Sequence, residues 1–313
     1  MFSSYPGIKG DEVYSVAVDS SGNVYTTGYF NGTVDFDPGP GTANLTANIS
    51  HSDAFVSKLD SSGNYVWAKS FGGIGKDYGY SVAVDSSGNV YITGRFEGHA
   101  NENHIVDLDP GSGTTNVTHN GNGDVFVSKL DSSGDLVWAK SFGGSGTDYG
   151  HSVAVDSSGN VYTTGRFSTY YSSGTVDFDP GAGTAGLPSN GSYDAFVSKL
   201  DSSGDYVWAK SLGGPAGDYG HSVAVDSSGN VYTAGSFHSG GYQGAVDFDP
   251  GAGTLELIGA GTAESNLNGG TDAFVWKLDS SGNLVTGAGV TVALSGGSTA
   301  VSEAGSTDSF TVV

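Results

Sequence analysis

Apolar and polar residues alternate in short runs along most of the chain, and each run ends in a polar turn that carries glycine. Tyr80-Ser81-Val82-Ala83-Val84-Asp85 leads into Ser86-Ser87-Gly88-Asn89, and Val90-Tyr91-Ile92-Thr93-Gly94-Arg95-Phe96 follows. A period of two sends successive side chains to opposite faces of a strand. The turn suits a hairpin, because Gly takes positive φ without penalty and Asn tolerates it. Asp124–Leu130 and Leu136–Phe142 flank Ser132-Ser133-Gly134-Asp135 in the same way. No stretch combines a helical period with capping signals. The pattern predicts strands throughout.

The pattern then recurs. Ser-Val-Ala-Val-Asp-Ser-Ser-Gly-Asn-Val-Tyr begins at Ser15, Ser81, Ser152 and Ser222. Asp-(Ala/Val)-Phe-Val-(Ser/Trp)-Lys-Leu-Asp-Ser-Ser-Gly begins at Asp53, Asp124, Asp194 and Asp272. Each unit is two hairpins joined by a variable connection, at 31–52, 97–123, 168–193 and 238–271. Four antiparallel strands per repeat is the pattern of a propeller blade. Ordinary blades run to about 40–50 residues; here the surplus lies between the second and third strands. A β-solenoid is the alternative, but it needs shorter and more uniform rungs. The expected fold is all-β: a β-propeller of four repeated, four-stranded antiparallel blades at about 11–76, 77–147, 148–217 and 218–285. The length of 313 residues would otherwise suggest two domains, but repeated units share one core with their neighbours.

The two ends leave alternatives open. Met1–Gly7 aligns with Trp67–Gly73, the fourth strand of a unit, while Asn283-Leu284-Val285 begins a fourth strand without its Trp-Ala-Lys-Ser continuation. Either Met1–Gly7 is a remnant that completes the last blade and closes a ring of four, or the units are an excerpt of a longer array. Closure is favoured, because the N-terminal piece supplies what the last unit lacks. Residues 286–313 change character and are expected to be the truncated start of a β-sandwich-like module. As an extended tail they would pack poorly or pair with an edge strand.

The Val-Ala-Val-Asp-Ser-Ser-Gly-Asn-Val-Tyr hairpin, followed by Lys-Leu-Asp-Ser-Ser-Gly and Val-Trp-Ala-Lys-Ser-Phe-Gly-Gly, resembles the bacterial SBBP-type β-propeller repeat. More distantly it is similar to NHL-type blades. The run Val301-Ser-Glu-Ala-Gly-Ser-Thr-Asp-Ser-Phe-Thr-Val312 is similar to the opening of Calx-beta or immunoglobulin-like modules. The first resemblance implies a propeller in a large bacterial protein, secreted or held at the cell surface. It implies no catalytic residue.

Charge and composition narrow the partners. The net charge is −22, from 33 acidic and 11 basic residues. Nucleic acid is disfavoured, since neutralising phosphates takes clustered Lys and Arg. Cations are the natural counterions. The chain has no cysteine, hence no disulfide, thiol nucleophile or thiolate metal site. No apolar run approaches the roughly 20 residues of a membrane-spanning helix, and the first residues lack the features of a signal peptide.

The candidate metal ligands are paired carboxylates at the Asp-x-Asp-Pro-Gly corners: Asp35 and Asp37, Asp107 and Asp109, Asp177 and Asp179, Asp247 and Asp249. Carboxylates two apart on an extended strand point the same way, and both could reach one calcium ion. The competing readings are a structural turn, with Asp accepting backbone N–H bonds, or pairing with Lys58, Lys129, Lys199 and Lys277. The eight Asp-Ser-Ser-Gly turns read as Asx-type hairpin turns. The recurring Tyr25, Phe55 and Trp67 and their equivalents read as packing between sheets, with a sugar-stacking platform as the alternative.

Tyr14, Tyr80, His151 and His221 share one position just before the first strand, which in a propeller lines the central channel. They are candidate ligand-binding residues at its mouth, or simply a position where Tyr and His interchange. His51, His99, His104, His119 and His238 fall in the connections and read as surface residues, as do Tyr170, Tyr171 and Tyr242. Binding specificity usually lies in such unequal loops on a rigid scaffold. No nucleophile elbow, His-Glu-x-x-His helix or phosphate loop is present. The expected function is a non-enzymatic structural or adhesive scaffold outside the cell. Its expected partners are proteins or glycans at the cell surface, with self-association through edge strands. The alternative is a calcium-dependent or lectin-like binding propeller.

Overall fold

A computed structural model describes residues 10–48, 51–97, 105–169, 174–238, 246–251, 253–257, 271–285 and 290–293. Blade one contains β1 (Glu12–Val18), β2 (Val24–Phe30), β3 (Thr33–Asp35), β4 (Asn44–Thr46), β5 (Asp53–Leu59) and β6 (Tyr65–Phe71). Blade two contains β7 (Asp77–Val84), β8 (Val90–Phe96), β9 (Ile105–Asp107), β10 (Asn116–Thr118), β11 (Asp124–Leu130) and β12 (Leu136–Phe142). Blade three contains β13 (Tyr149–Val155), β14 (Val161–Phe167), β15 (Gly174–Asp177), β16 (Gly186–Ser189), β17 (Asp194–Leu200) and β18 (Tyr206–Leu212). Blade four contains β19 (Tyr219–Val225), β20 (Val231–His238), β21 (Val246–Asp247), β22 (Glu256–Leu257), β23 (Thr271–Leu278) and β24 (Val290–Ala293).

Each blade is an antiparallel four-stranded meander, in the order β1-β2-β5-β6 and its equivalents. This is the β-propeller pattern that the repeats predict. The long connection holds its own two-stranded hairpin, as β3-β4, β9-β10, β15-β16 and β21-β22. The hairpin folds because the middle residue of each acidic corner, Phe36, Leu108, Phe178 or Phe248, is buried in the core.

In the fourth blade the outer position belongs to β24, which pairs antiparallel with β23 from Ala273↔Ala293 to Trp276↔Val290. This blade therefore runs past the boundary drawn at residue 285, and part of the tail does pair with an edge strand. Met1–Gly7 and 294–313 lie outside the described residues.

The core lies between blades as much as within them. Tyr162, Val197 and Trp208 of blade three share one apolar cluster with Val223, Phe237 and Phe274 of blade four. Three polar contacts repeat at each seam. The Val82, Val153 and Val223 N–H groups donate to Ser15, Ser81 and Ser152 Oγ of the preceding blade at 3.2–3.3 Å. Trp67, Trp138 and Trp208 Nε1 donate to the Ser132, Ser202 and Ser280 carbonyls of the following blade. Lys58, Lys129 and Lys199 Nζ reach the same carbonyls. The tryptophans thus fasten one blade to the next and are not free sugar platforms.

Each first strand also carries a β-bulge, between Val13 and Ser15, Gly79 and Ser81, Gly150 and Ser152, and Gly220 and Ser222. A bulge leaves one residue out of the ladder and re-aims its side chain. The residues so placed are Tyr14, Tyr80, His151 and His221. A second bulge, opposite Lys58, Lys129 and Lys199, leaves Val66, Val137 and Val207 exposed.

Trp208→Ala should destabilise the chain by about 3–5 kcal/mol, as loss of a buried aromatic does. Trp208→Phe, which keeps a smaller aromatic ring and loses the seam hydrogen bond, should cost less than this but more than the about 1 kcal/mol of a hydrogen bond alone. Urea unfolding of both variants measures the difference.

Candidate functional site

The acidic corners close on their own backbone. Asp35 Oδ1 accepts the N–H groups of Asp37 and Ala43 at 3.0 and 2.8 Å, and Asp37 Oδ1 accepts Gly39 N–H at 2.7 Å. Asp107 takes Asp109 and Thr115, and Asp109 takes Gly111. Asp177 takes Asp179 and Ala185, and Asp179 takes Gly181. Asp247 takes Asp249 and Leu255, and Asp249 takes Gly251. These bonds hold the Asp35 carboxyl below the usual carboxylate range, Ala43 N–H having the larger effect. The repeated lysines do not pair with these corners. Lys58, Lys129, Lys199 and Lys277 lie over the rings of Tyr25, Tyr91, Tyr162 and Tyr232 instead. Among the described residues no group of three or more His, Asp or Glu side chains is arranged to hold a metal ion.

The Asp-Ser-Ser-Gly turns are Asx turns. Asp85 Oδ1 accepts Ser87 and Asn89 N–H, and its Oδ2 accepts Asn89 Nδ2 and the Tyr91 hydroxyl. The recurring tyrosine is therefore a buried strut whose hydroxyl caps its own blade's turn.

The four bulge residues come together as a row. Tyr14 and Tyr80 lie 5.2 Å apart, Tyr80 and His151 6.1 Å, and His151 and His221 6.1 Å, ring centre to ring centre. Tyr78 stacks on Tyr80, and Tyr219 stacks on His221. The Arg166 guanidinium lies over Tyr149, Tyr193 and Tyr219 at 4.0, 4.5 and 5.0 Å. Arg95 lies over Tyr149 and donates to its hydroxyl. Edge and face contacts of this kind, with cations over the rings, stabilise the belt beyond its buried area.

His151 Nδ1 donates to the Gly220 carbonyl at 2.8 Å. Burial, reinforced by Arg166, pushes His151 down to about 4, and His221 is lowered for the same reasons. Both imidazoles are neutral at neutral pH. The belt is an aromatic and hydrogen-bonding surface, in which His221 Nε2 lies 3.0 Å from Ser236 Oγ.

Two of the histidines read as surface residues lie deeper. His119 is buried, with Nδ1 at 2.9 Å from the Gly121 carbonyl and its ring against Phe96. His238 extends β20 and bridges the Gly217 carbonyl and Thr271 Oγ1. At both positions the described end of the connection packs on the blade, which a loop reading does not anticipate. His51 is half-buried; His99, His104, Tyr170, Tyr171 and Tyr242 lie outside the described residues.

Sequence reasoning missed a set of buried carboxylate pairs at the seams. Asp53 and Asp77 meet at Gly72, Asp124 and Asp148 meet at Gly143, and Asp194, against Gly213, feels the charge of Asp218. A Cβ on Gly143 would stand 2.5 Å from Asp124 Oδ1 and 2.7 Å from Asp148 Oδ2, so only glycine fits there. Asp77, Asp148 and Asp218 each accept two backbone N–H groups, as Asp148 does from Gly144 and Ser168. Asp53, Asp124 and Asp194 each accept one, from Asn48, Asn120 and Asn190, and keep a buried oxygen with no partner. The available signal was an Asp repeated immediately before an apolar strand in every unit.

Burial raises these groups, with the facing carboxylate adding to it at Asp124 and Asp194: Asp53 to about 6, Asp124 to about 8, Asp194 to about 7. Burial likewise takes Asp148 to about 7 and Asp218 to about 6, and Asp77 well upward. Unfolded Asp titrates near about 3.9. A raised folded value means that stability is fully present below pH about 4 and is lost as pH rises through about 6–8. The urea midpoint should therefore fall between pH 5 and 8.5. Asp124→Asn, which imitates the protonated acid, should raise the midpoint at the alkaline end and flatten the slope. A midpoint that holds level or climbs over that range would contradict the assignment.

Comparison with known proteins agrees with this architecture. Residues 8–34, 66–95, 137–166 and 207–238 match the family described as SBBP, beta-propeller repeat. The chain is similar to an uncharacterized WD repeat-containing protein of Acanthamoeba polyphaga mimivirus, 26% identical over 72% of this chain and 19% of that protein. It is also similar to the regulatory protein FlaEY of Caulobacter vibrioides, 31% identical over 47% of this chain and 15% of that protein. The chain thus spans less than a fifth of the length of either relative. No helix among the described residues is long and apolar enough to cross a membrane.

Proposed function

We propose that this β-propeller is a non-catalytic scaffold for protein interaction, working at the outside of a cell, with specificity in the unequal connections between its second and third strands. One observation carries the reading. The residues that repeat four times are spent on holding blades together, in Asx turns, seam hydrogen bonds, buried carboxylates and the aromatic belt, and what differs from blade to blade is the connection. The match to four beta-propeller repeats and the likeness to a WD repeat-containing protein support it. No catalytic family is indicated, and the acidic surface turns nucleic acid away. Placement outside the cell rests on the family resemblance.

Display selection of protein ligands against the intact chain tests the reading. Replacing residues 168–193 of blade three by residues 31–52 of blade one should leave the melting temperature within a few degrees of the parent. It should also abolish binding of the ligands selected on that blade. Ligands that survive every such exchange, or a protein that unfolds whenever a connection is exchanged, would overturn it.

A further inference from the structure

The three internal seams share a contact that the two free faces of the molecule do not reproduce. The first strand of each following blade lies against the second strand of the one before. A glycine on the first strand, Gly79, Gly150 or Gly220, meets a threonine on the second, Thr27, Thr93 or Thr164. A Cβ on any of these glycines would collide with the Thr Oγ1. The hydroxyl cannot swing away, because it is buried and donates to the Phe55, Phe126 or Phe196 carbonyl at 2.5–2.8 Å. Gly opposite Thr is thus a steric requirement of this seam.

Blade one breaks the pattern on its free face, where Val13 stands in place of the glycine. Blade four breaks it on its free face in the opposite sense, where Ala234 stands in place of the threonine. A bulkier residue on one face is matched by a smaller one on the other. Val13 would be rejected by a blade with the usual threonine, and Ala234 removes the hydroxyl that would reject it.

Both faces are open and apolar. Val16 is 63% exposed, whereas its equivalents Val82, Val153 and Val223 are each 6% exposed. Val275 is 41% exposed, whereas Val56, Val127 and Val197 are fully buried. The polar contacts of a seam also stand half-made on each side. Ser222 Oγ is the blade-four equivalent of the seam acceptors, and the Val16 N–H is the blade-one equivalent of their donors. Lys277 lies over Tyr232 just as the other repeated lysines lie over theirs. The carbonyl equivalent to those its counterparts reach is that of Ser61.

We infer that the blade-four face of one molecule packs on the blade-one face of a second copy, head to tail, through a fourth seam built on Ala234 and Val13. Among the described residues nothing covers either face, and a second copy carries the complement of both. A head-to-tail contact closes into a ring or continues as a filament according to its rotation. Two copies joined at both ends would present eight blades, within the usual size of a propeller.

Sedimentation velocity and light scattering on the intact chain, over a wide range of concentration, test the inference. The expected result is a mass of two chains or a higher multiple. Val16→Asp, at an exposed position, should return the mass to one chain with the melting curve of the blades retained. Ala234→Thr should weaken association by at least about tenfold, a change of about 1.4 kcal/mol in binding. Val13→Gly combined with Ala234→Thr, which restores the internal Gly–Thr pairing, should recover it. A single-chain mass at every concentration would overturn the inference, and so would an assembled mass indifferent to Val16→Asp and Ala234→Thr. The first of these would assign the two faces to each other within one chain or to blades of a different protein.

Discussion

Where Gly79, Gly150 and Gly220 rest on Thr27, Thr93 and Thr164, two sheets approach more closely than a side chain would permit. That approach brings the seam serines within reach of the next blade's Val N–H groups and sets the tryptophans against the following turn. It also aligns the bulges, so that Tyr14, Tyr80, His151 and His221 fall into one row. The belt is therefore a consequence of backbone spacing. A blade that lost its glycine would lose its place in the row as well.

The same spacing buries charge. Each seam encloses two carboxylates in a space where only glycine fits between them. Backbone N–H groups satisfy one member of the pair fully and the other only in part. Carboxyl groups in such surroundings favour the proton, so blade packing and proton uptake become one equilibrium. Two groups of carboxylates are displaced in opposite directions: Asp19, Asp60, Asp85, Asp156, Asp226 and Asp279 in the Asx turns, and Asp53, Asp77, Asp124, Asp148, Asp194 and Asp218 in the seams. The first six are stabilised as anions by the turn's Asn side chain and backbone N–H groups, and Asp19, held mainly by the Asn23 side chain, falls to about 2. Those in the seams are driven the other way. The sign of the pH dependence follows from which population a given residue joins.

Function in this molecule is a matter of division of labour. Side chains that recur are internal struts, and the rings that composition alone would offer as sugar platforms turn out to be fastened to neighbouring blades. Oδ1 of each corner carboxylate accepts turn N–H groups around a buried Phe or Leu. What remains free to vary is the connection and its small hairpin, held out from a frame that does not change.

Strand positions, turn chemistry, blade number and the meander order were legible in the sequence, because alternation and hairpin glycines are local and were written four times. Asp124–Leu130 and Leu136–Phe142 come out as strands at those limits. The hairpin within each connection was not legible, since its strands are only two to four residues long and depend on burying Phe36 or its equivalents. Neither was the seam carboxylate pair, whose members lie 24 positions apart in chain but face each other only when two blades meet. The outer strand of the last blade was decided by geometry as well, since an open edge beside β23 accepts whichever extended segment reaches it. The sequence by itself determined the repeating unit and its internal register. Tertiary structure decided what each repeated residue does, because burial and charge proximity arise only where one blade is laid against the next.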